Sequence, residues 1–294
     1  MTPSIQVLPA SATALDPTLG LRGDYSQMDA DWVTAQNWDE YGAAEHDLWR
    51  QLYARQAVIA KRYAADAFLQ GLSRLQMPEA RIPRFEEASE KLHALTGWII
   101  VPVPGLIPED AFFLHLAKRQ FPVTVWLRRP DELDYLVEPD VFHDFFGHVP
   151  LLTQPVFADY LQEYGRKGIE AIELGTTKML TRLFWYMVEF GLIGGSEGIK
   201  AYGAGMLSSA IETAYSVDSK QPHRIKFDLA RVMRTDYRID NFQQTYFVID
   251  DFAELFTAMQ QSFPPLYAAV KNLPLIPATT ILDSDTLLQA GRQA

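Results

Sequence analysis

The sequence predicts a single domain that is mainly α with a few short strands. Three observations indicate this fold class. Apolar residues recur at helical spacing over most of the chain, the β-type runs are short, and no repeat, low-complexity block or long Gly/Ser linker divides the sequence. The chain has 294 residues, which is long enough to bury a substantial core.

The first third of the chain predicts an arm and two helices. Residues 1–22, rich in Pro, Ala, Ser and Thr, are expected to form a flexible arm before a domain at 23–275. A helical pattern covers 36–76, where apolar side chains return at spacings of four and seven. A second helix is predicted over 85–95 and should stop at Gly97.

The rest of the chain alternates short strands with helices. The stretches "WIIVPVPG" and "FPVTVWL" predict strands on either side of a helix, "PEDAFFLHLAKRQ". Helices are predicted at about 157–170, 176–193 and 197–216, the second of them ending at Gly194 and Gly195. "DYRIDNFQQTYFVI" predicts a β-ribbon, and "DFAELFTAMQQSFPPLYAAVKNL" predicts a further helix before a tail at 276–294.

Composition excludes several classes of function. The 26 Lys and Arg against 37 Asp and Glu give a net charge of −11, and no basic run is present, so nucleic-acid and anionic-membrane binding are not expected. The sequence has no cysteine, which excludes disulfides, thiol nucleophiles and cysteine-bound metals. The first residues do not resemble a signal peptide and no long apolar run predicts a membrane span, so a cytoplasmic location is expected.

The stretch "VFHDFFGHVP" at 141–150 holds two of the six histidines. Residues five apart on an α-helix lie about 140° apart, too far around to bind one ion. We therefore expect the helix to break near Gly147, so that His148 turns back toward His143. Two buried, hydrogen-bonded core histidines are the alternative interpretation.

A two-histidine metal site needs a third ligand, and Glu189 is the strongest candidate. It stands in the nearly all-apolar stretch "RLFWYMVEFGLIGG", where a buried carboxylate is costly unless it is paired or bound to a metal. The alternative is an ion pair with Arg182, seven residues away. Two histidines and one carboxylate form the pattern of non-haem Fe(II) oxygenases.

A zinc hydrolase using the same three residues is a second interpretation. Its usual motif places two histidines four residues apart, with a glutamate base directly after the first. Here the histidines are five apart and Asp144 follows the first. The spacing therefore disfavours zinc-dependent hydrolysis.

Three motifs in this order resemble the pterin-dependent aromatic amino acid hydroxylases, and in particular their short bacterial members. They are "EPDVFHDFFGHVPLL", "FWYMVEFGLI" and "IKAYGAGMLSSAIE", with a weaker match at "LTGWIIVPVPGLIPEDAFF". The resemblance covers roughly 95–215, and the order of the remaining helices agrees through about residue 275. It implies one catalytic domain, a helical basket around a mononuclear iron.

The resemblance also implies the cofactors and their ligands. Fe(II) would be held by His143, His148 and Glu189. A reduced tetrahydropterin, tetrahydrobiopterin or a bacterial equivalent, would lie beside it. The positions that match the family's pterin contacts are Gly105, Leu106, Ile107, Phe112 and Asp144.

For the substrate, the resemblance implies an aromatic amino acid that is hydroxylated with O2. Arg128 matches the residue that binds the substrate carboxylate, a bidentate geometry that lysine would not reproduce. The other matching positions are Pro139, Trp185, Phe190, Gly205 and Ser208. Ser208 is also expected to orient a ligand histidine. Without the resemblance, capping of a helix or turn would explain Ser208 and Ser209.

The resemblance favours conversion of L-phenylalanine to L-tyrosine, with tryptophan or tyrosine as alternative substrates. The position that is acidic in the tyrosine hydroxylases is Ile239 here, and a family tyrosine near the iron is Phe184. The sequence shows no separate regulatory domain. The tail also lacks the heptads of a coiled coil, so a monomer is expected.

Overall fold

The computed structural model of the chain describes residues 21–292 apart from residues 134, 135, 137, 197 and 240. Most of the arm predicted at 1–22 therefore lies outside the described residues. The α-helices are α1 (Ala43–Tyr63), α2 (Asp66–Leu75), α3 (Phe85–Thr96), α4 (Glu109–Ala117), α5 (Pro155–Leu174), α6 (Thr177–Leu183), α7 (Ala204–Leu207), α8 (Ala210–Asp218), α9 (Leu229–Arg234), α10 (Phe252–Met259) and α11 (Phe263–Val270). The strands are β1 (Ile99–Val103), β2 (Gln120–Thr124), β3 (Leu192–Gly195), β4 (Gly198–Ala201), β5 (His223–Lys226), β6 (Thr245–Ile249) and β7 (Leu287–Gln289).

Two π-helices complete the central part of the chain. The first spans Phe142–His148 and runs directly into a 3-10 helix, Val149–Thr153. The second spans Phe184–Glu189 and continues α6. Because π-helices are rare and are frequent at functional sites, these two segments indicate where a functional site lies.

The strands form two sheets. β1 and β2 pair in parallel, and α4 makes the crossover between them. The second sheet has the order β4-β3-β6-β5-β7, in which β6 runs parallel to both β3 and β5. The ends of β1 and β2 lie at one edge of their sheet, so the segments after them, at 104–108 and 125–129, come together where ligands bind in parallel sheets.

Several predicted elements are confirmed. The helix predicted at 85–95 is α3, and Gly97 ends it in the left-handed conformation at φ 75°. The strands predicted before and after "PEDAFFLHLAKRQ" are β1 and β2, with α4 between them. No α-helix among the described residues is long and apolar enough to cross a membrane.

The prediction of one helix over 36–76 is wrong, because α1 and α2 are separate. Ala64 and Ala65 between them are extended, and the Ala65 amide donates to the carbonyl oxygen of Ala201 at 2.8 Å. This contact with a residue far along the chain, at the end of β4, outweighs the local helical pattern.

The prediction of one helix over 197–216 is also wrong. Residues 198–201 form β4, which pairs antiparallel with β3, and the helical residues are divided between α7 and α8. Gly198 adopts φ +99°, a conformation that favours glycine and allows the tight turn of this hairpin. The apolar pattern alone did not separate a short strand from a helix.

The helix predicted over 176–193 ends earlier, at Glu189, and Gly194 and Gly195 belong to β3. The other differences lie in the last sixty residues. The predicted β-ribbon contains one strand, β6, whose partners are distant in sequence and parallel to it. The helix predicted from "DFAELFTAMQQSFPPLYAAVKNL" is α10 and α11, because Pro264 and Pro265 begin a new helix. The segment described above as a tail, 276–294, contributes β7 to the sheet.

Candidate metal centre and its two cavities

The first π-helix places two histidines on one side of the chain. Its hydrogen bonds join residues five apart, so the side chains of His143 and His148 lie on nearly the same face of the helix. The helix continues through Gly147 without a break. The expectation of a helix break is therefore wrong, since the helix widens instead. The Cβ of a residue at Gly147 would lie 3.0 Å from the carbonyl oxygen of Ala204, so this glycine allows α7 to pack closely.

The phenylalanines of the same π-helix anchor it in the core. Phe142 and Phe146 stack with their ring centroids 4.9 Å apart, and Phe142 also meets Trp49 edge to face at 5.3 Å. Phe145 stacks on Phe85 at 5.7 Å. Burial of these rings on one side holds the backbone that carries the two histidines on the other.

Glu189 completes the group from the end of the second π-helix. Its Oε2 lies 3.6 Å from Nε2 of His143, and its Oε1 lies 3.2 Å from Nε2 of His148. One ligand atom from each of the three residues lies within 4.8 Å of the others, and all three residues are buried. The structure thus brings together the three predicted ligands, and this donor set suits a divalent transition metal.

Arg182 does not pair with Glu189, so the alternative ion pair is absent from the described residues. Its guanidinium instead donates to the carbonyl oxygens of Lys178 and Met233. The pKa of Glu189 is lowered, because the nearby histidines favour its charged form although burial opposes it. Burial, partly offset by Glu189, lowers the pKa of His143 to about 4, so the imidazole is neutral near pH 7.

Ser208 sets the tautomer of His143. Its Oγ lies 2.9 Å from Nδ1 of His143 and also donates to the carbonyl oxygen of Ala204 at 2.9 Å. Since the hydroxyl hydrogen is donated to the carbonyl oxygen of Ala204, Oγ accepts a hydrogen bond from Nδ1–H of His143. The lone pair of Nε2 is then free to face the metal, as is usual for a ligand histidine.

One cavity beside the three ligands has a volume of about 180 Å³ and is mostly apolar. All three candidate metal ligands line it. It is also lined by every residue that the resemblance assigned to the pterin: Gly105, Leu106, Ile107, Phe112 and Asp144. The first three follow β1 and Phe112 lies on α4, so the β1–α4–β2 unit forms one wall of the cavity.

Asp144 faces this cavity from the first π-helix. Its Oδ2 accepts the backbone N–H of Thr124 at 2.8 Å, at the end of β2. Burial raises the pKa of Asp144 to about 7, although that hydrogen bond opposes the shift. Phe184 lies on the same cavity and meets Phe112 edge to face at 5.5 Å, so a ring without a hydroxyl occupies this position.

A second cavity, of about 110 Å³, adjoins the first, and both are lined by Pro139, His143, Trp185 and Phe190. It is lined by every residue that the resemblance assigned to the substrate: Arg128, Pro139, Trp185, Phe190, Gly205 and Ser208. Ile239 also lines it. Trp185 and Phe190 lie with ring centroids 4.6 Å apart, and the Cβ of a residue at Gly205 would come within 3.1 Å of Phe190 and of Glu189.

Arg128 is held by a buried carboxylate, that of Asp140. Asp140 is fully buried, and its two oxygens accept Nε and Nη2 of Arg128 at 2.8 and 2.9 Å. Its Oδ1 also accepts the backbone N–H of His143 at 2.9 Å. The spacing in the sequence signalled the bond to His143, because an aspartate three residues before an amide often accepts its hydrogen bond. It did not signal the pair with Arg128.

The sequence analysis also missed Gln243 and Glu212. Gln243 accepts the indole N–H of Trp185 on Oε1 at 3.0 Å, and its own backbone N–H donates to Glu212 at 3.3 Å. Both residues line the second cavity. A glutamate three residues after Ser209 is typical of a capping box, and no local pattern connects it with residue 243.

Comparisons with known proteins agree with this geometry. The family model of the biopterin-dependent aromatic amino acid hydroxylases matches residues 33–272. A phenylalanine-4-hydroxylase of Ralstonia nicotianae is 53% identical over 268 residues, which are 91% of this chain and 86% of that protein. A phenylalanine-4-hydroxylase of Chromobacterium violaceum is 53% identical over 261 residues, 89% of this chain and 88% of that protein.

Solved structures give the same result. The C. violaceum phenylalanine hydroxylase with bound oxidized Fe(III) matches with a TM-score of 0.87 and 54% identity, over 89% of this chain and 95% of that chain. The same enzyme bound to cobalt matches with a TM-score of 0.87 and 50% identity, over 94% of this chain and 100% of that chain. The chain therefore belongs to the biopterin-dependent aromatic amino acid hydroxylase family.

Proposed function

We propose that this protein converts L-phenylalanine to L-tyrosine with O2, a reduced tetrahydropterin and Fe(II). The observation that carries the proposal is the meeting of two cavities at one His-His-Glu group, with His143 lining both. One cavity offers Arg128 and aromatic walls, and the other offers Phe112 and Asp144. The relatives named phenylalanine-4-hydroxylase support the choice of substrate.

The residues of the substrate cavity have separate tasks. Arg128 binds the substrate carboxylate, with Asp140 holding its guanidinium in place. Pro139, Trp185 and Phe190 enclose the aromatic ring and exclude water from it. Ile239 presents an apolar side chain to this cavity, which favours phenylalanine over a phenolic ring.

The residues of the other cavity hold the cofactors. Phe112 would stack on the pterin ring, the backbone at Gly105, Leu106 and Ile107 would follow its edge, and Asp144 would contact it from the first π-helix. His143, His148 and Glu189 hold the iron. When bound, the iron and pterin supply the redox chemistry that places one oxygen atom of O2 on the ring.

The deciding experiment measures product formation from phenylalanine, tyrosine and tryptophan side by side. The protein is supplied with Fe(II), a tetrahydropterin and O2, and a parallel sample receives Zn(II). We expect tyrosine from phenylalanine with Fe(II) and no product with Zn(II), because zinc does not change its oxidation state. An iron-loaded protein that forms no product from any of the three amino acids would contradict the proposal.

We further propose that the protein is a cytoplasmic monomer. The net charge of −11, which disfavours binding to anionic membranes, supports this assignment. Sedimentation of the iron-loaded protein at several concentrations measures the assembly state. A mass near 33.3 kDa is expected throughout, and a concentration-dependent increase would contradict a monomer.

A further inference from the structure

Glu212 is a buried acid in the substrate cavity and has no role in the binding of ring, carboxylate or metal proposed above. Its side chain is almost fully enclosed, with the residue 6% exposed, and it lines the cavity together with Arg128. It is the one carboxyl group among the described residues that line this cavity. A buried acid normally has a cationic partner, a hydrogen-bonding partner or a ligand.

A capping box does not explain the position of Glu212. In the sequence "SAIE", Ser209 and Glu212 have the spacing of a capping box, in which the glutamate would accept the amide of Ser209. Ser209 does begin α8 and accepts the Glu212 amide. However, the Ser209 amide donates to the carbonyl oxygen of Met206, so Glu212 is free to point elsewhere.

The contacts of Glu212 hold one of its oxygens and leave the other for a ligand. Oε1 accepts the backbone N–H of Gln243 at 3.3 Å and the hydroxyl of Tyr246 at 3.0 Å. Within the described part of the chain, neither a hydrogen bond to Oε2 nor an ion pair to either oxygen is formed. Burial raises the pKa of Glu212 to about 7, despite those two hydrogen bonds, so a cation bound beside it would favour its charged form.

The proposed substrate, an amino acid, carries a positive charge that can pair with Glu212. An amino acid at neutral pH has a carboxylate and an ammonium group on the same carbon. A cavity that recognises both groups is lined by one cationic and one anionic side chain. Arg128 supplies the cation, and because it pairs with Asp140 it does not neutralise Glu212. We propose that Oε2 of Glu212 accepts a hydrogen bond from the substrate α-ammonium group and selects amino acids over carboxylic acids that lack it. This inference rests on the proposed function.

The test compares two ligands that differ only in the ammonium group, L-phenylalanine and 3-phenylpropanoate. Their affinities are measured by titration calorimetry on the Co(II)-loaded protein, which binds without turnover. The variant is Glu212→Gln. Its amide oxygen can still accept from Gln243 and Tyr246, which directs the amide N–H2 toward the ammonium group and replaces an acceptor by a donor.

We expect Glu212→Gln to weaken phenylalanine binding by about tenfold to a hundredfold, the size of one hydrogen bond to a charged group. Binding of 3-phenylpropanoate should stay the same, since it contacts Arg128 and the ring walls alone. Glu173→Gln, an exposed position on α5, is the matched control and should change neither affinity.

Two results would overturn the inference: unchanged phenylalanine binding in Glu212→Gln, or an equal loss for both ligands, which indicates a purely structural role. If the glutamine variant does not fold, Glu212→Asp tests the same point, because its shorter side chain should also weaken phenylalanine selectively. Wild-type turnover is measured separately, so absence of product contradicts the proposed function, whereas Glu212-dependent preference for phenylalanine would still support this inference.

Discussion

Ser208 Oγ lies 2.9 Å from Nδ1 of His143, the nitrogen that faces away from the metal-binding group. The same hydroxyl donates to the Ala204 carbonyl oxygen, so it can only accept from the imidazole. A serine on the segment between α7 and α8 thus determines which nitrogen of His143 carries the proton. Metal binding on the first π-helix is thereby connected to the loop that lines the substrate cavity.

Replacing Ser208 should weaken metal binding. In Ser208→Ala the Nδ1 hydrogen loses its acceptor, and we expect the affinity for Fe(II) or Co(II) to fall roughly tenfold to a hundredfold. Metal titration measures this change. Ser209→Ala is the control, because it removes the cap of α8 and should cost about 1 kcal/mol of stability with unchanged metal affinity. Equal metal affinities in wild type and Ser208→Ala would refute the orienting role.

Asp140→Ala should be strongly destabilising. The change leaves the buried guanidinium of Arg128 without its partner, and the expected loss in free energy of unfolding is about 3–5 kcal/mol. Denaturant unfolding measures the loss, and the KM for phenylalanine should rise in the same variant. Asp131→Ala removes an exposed pair with Arg129 and should cost less than about 1 kcal/mol. A similar cost for both variants would contradict the buried-pair argument.

Glu212 should make stability depend on pH. Its pKa is about 7 in the folded protein, whereas an unfolded glutamate has a pKa of about 4.3. Between these values the folded protein keeps a proton that the unfolded chain has released, so the free energy of unfolding falls as pH rises and levels off above 7. The hydroxyls of Tyr246 and Tyr215, the titratable neighbours, remain protonated throughout this range.

The measurement is urea unfolding of wild type and Glu212→Gln between pH 4 and 8. Glutamine does not titrate, so the stability of wild type minus that of the variant should decrease as pH rises. Contributions from the metal-binding residues are common to both proteins and cancel in the difference. A difference that is constant over this range would show that burial does not disfavour the charged form of Glu212.

Gly203→Ala should disturb the backbone behind the metal ligand. A Cβ there would lie 2.3 Å from the carbonyl oxygen of Glu189, a backbone atom that cannot move aside alone. We expect a loss of about 3 kcal/mol in the free energy of unfolding, together with weaker metal binding. Gly194→Ala is the control on the neighbouring hairpin, since its Cβ would meet nothing closer than 3.7 Å. Equal stability of the two variants would rule out the predicted clash.

Phe112→Leu should affect the pterin selectively. The loss of ring stacking is expected to raise the KM for tetrahydropterin by about tenfold, equivalent to about 1.4 kcal/mol, with unchanged metal affinity. Steady-state kinetics at saturating phenylalanine measures the KM. Leu114→Ala, at an exposed position of the same helix, should leave it unchanged. A normal pterin KM in Phe112→Leu would place the pterin elsewhere.

The sequence by itself determined the residues of the metal group and the elements with strong local signals. Glu189 was recognisable because a carboxylate in an apolar stretch is costly to bury without a partner. The helix α3 was recognisable because its period and the glycine that ends it both lie within a dozen residues. Such signals depend on neighbouring residues alone, so they can be read without the fold.

Only the tertiary structure decided how these residues meet. The widening of the chain into π-helices brings His143 and His148 to one side, which α-helical periodicity excluded. The contact between Ala65 and Ala201 divides the first helical region, and parallel pairing of β6 with β3 and β5 replaces a local ribbon. The positions of Asp140 against Arg128 and of Glu212 against Gln243 likewise depend on packing between distant segments, because the free energy of these contacts is set by burial and not by local sequence.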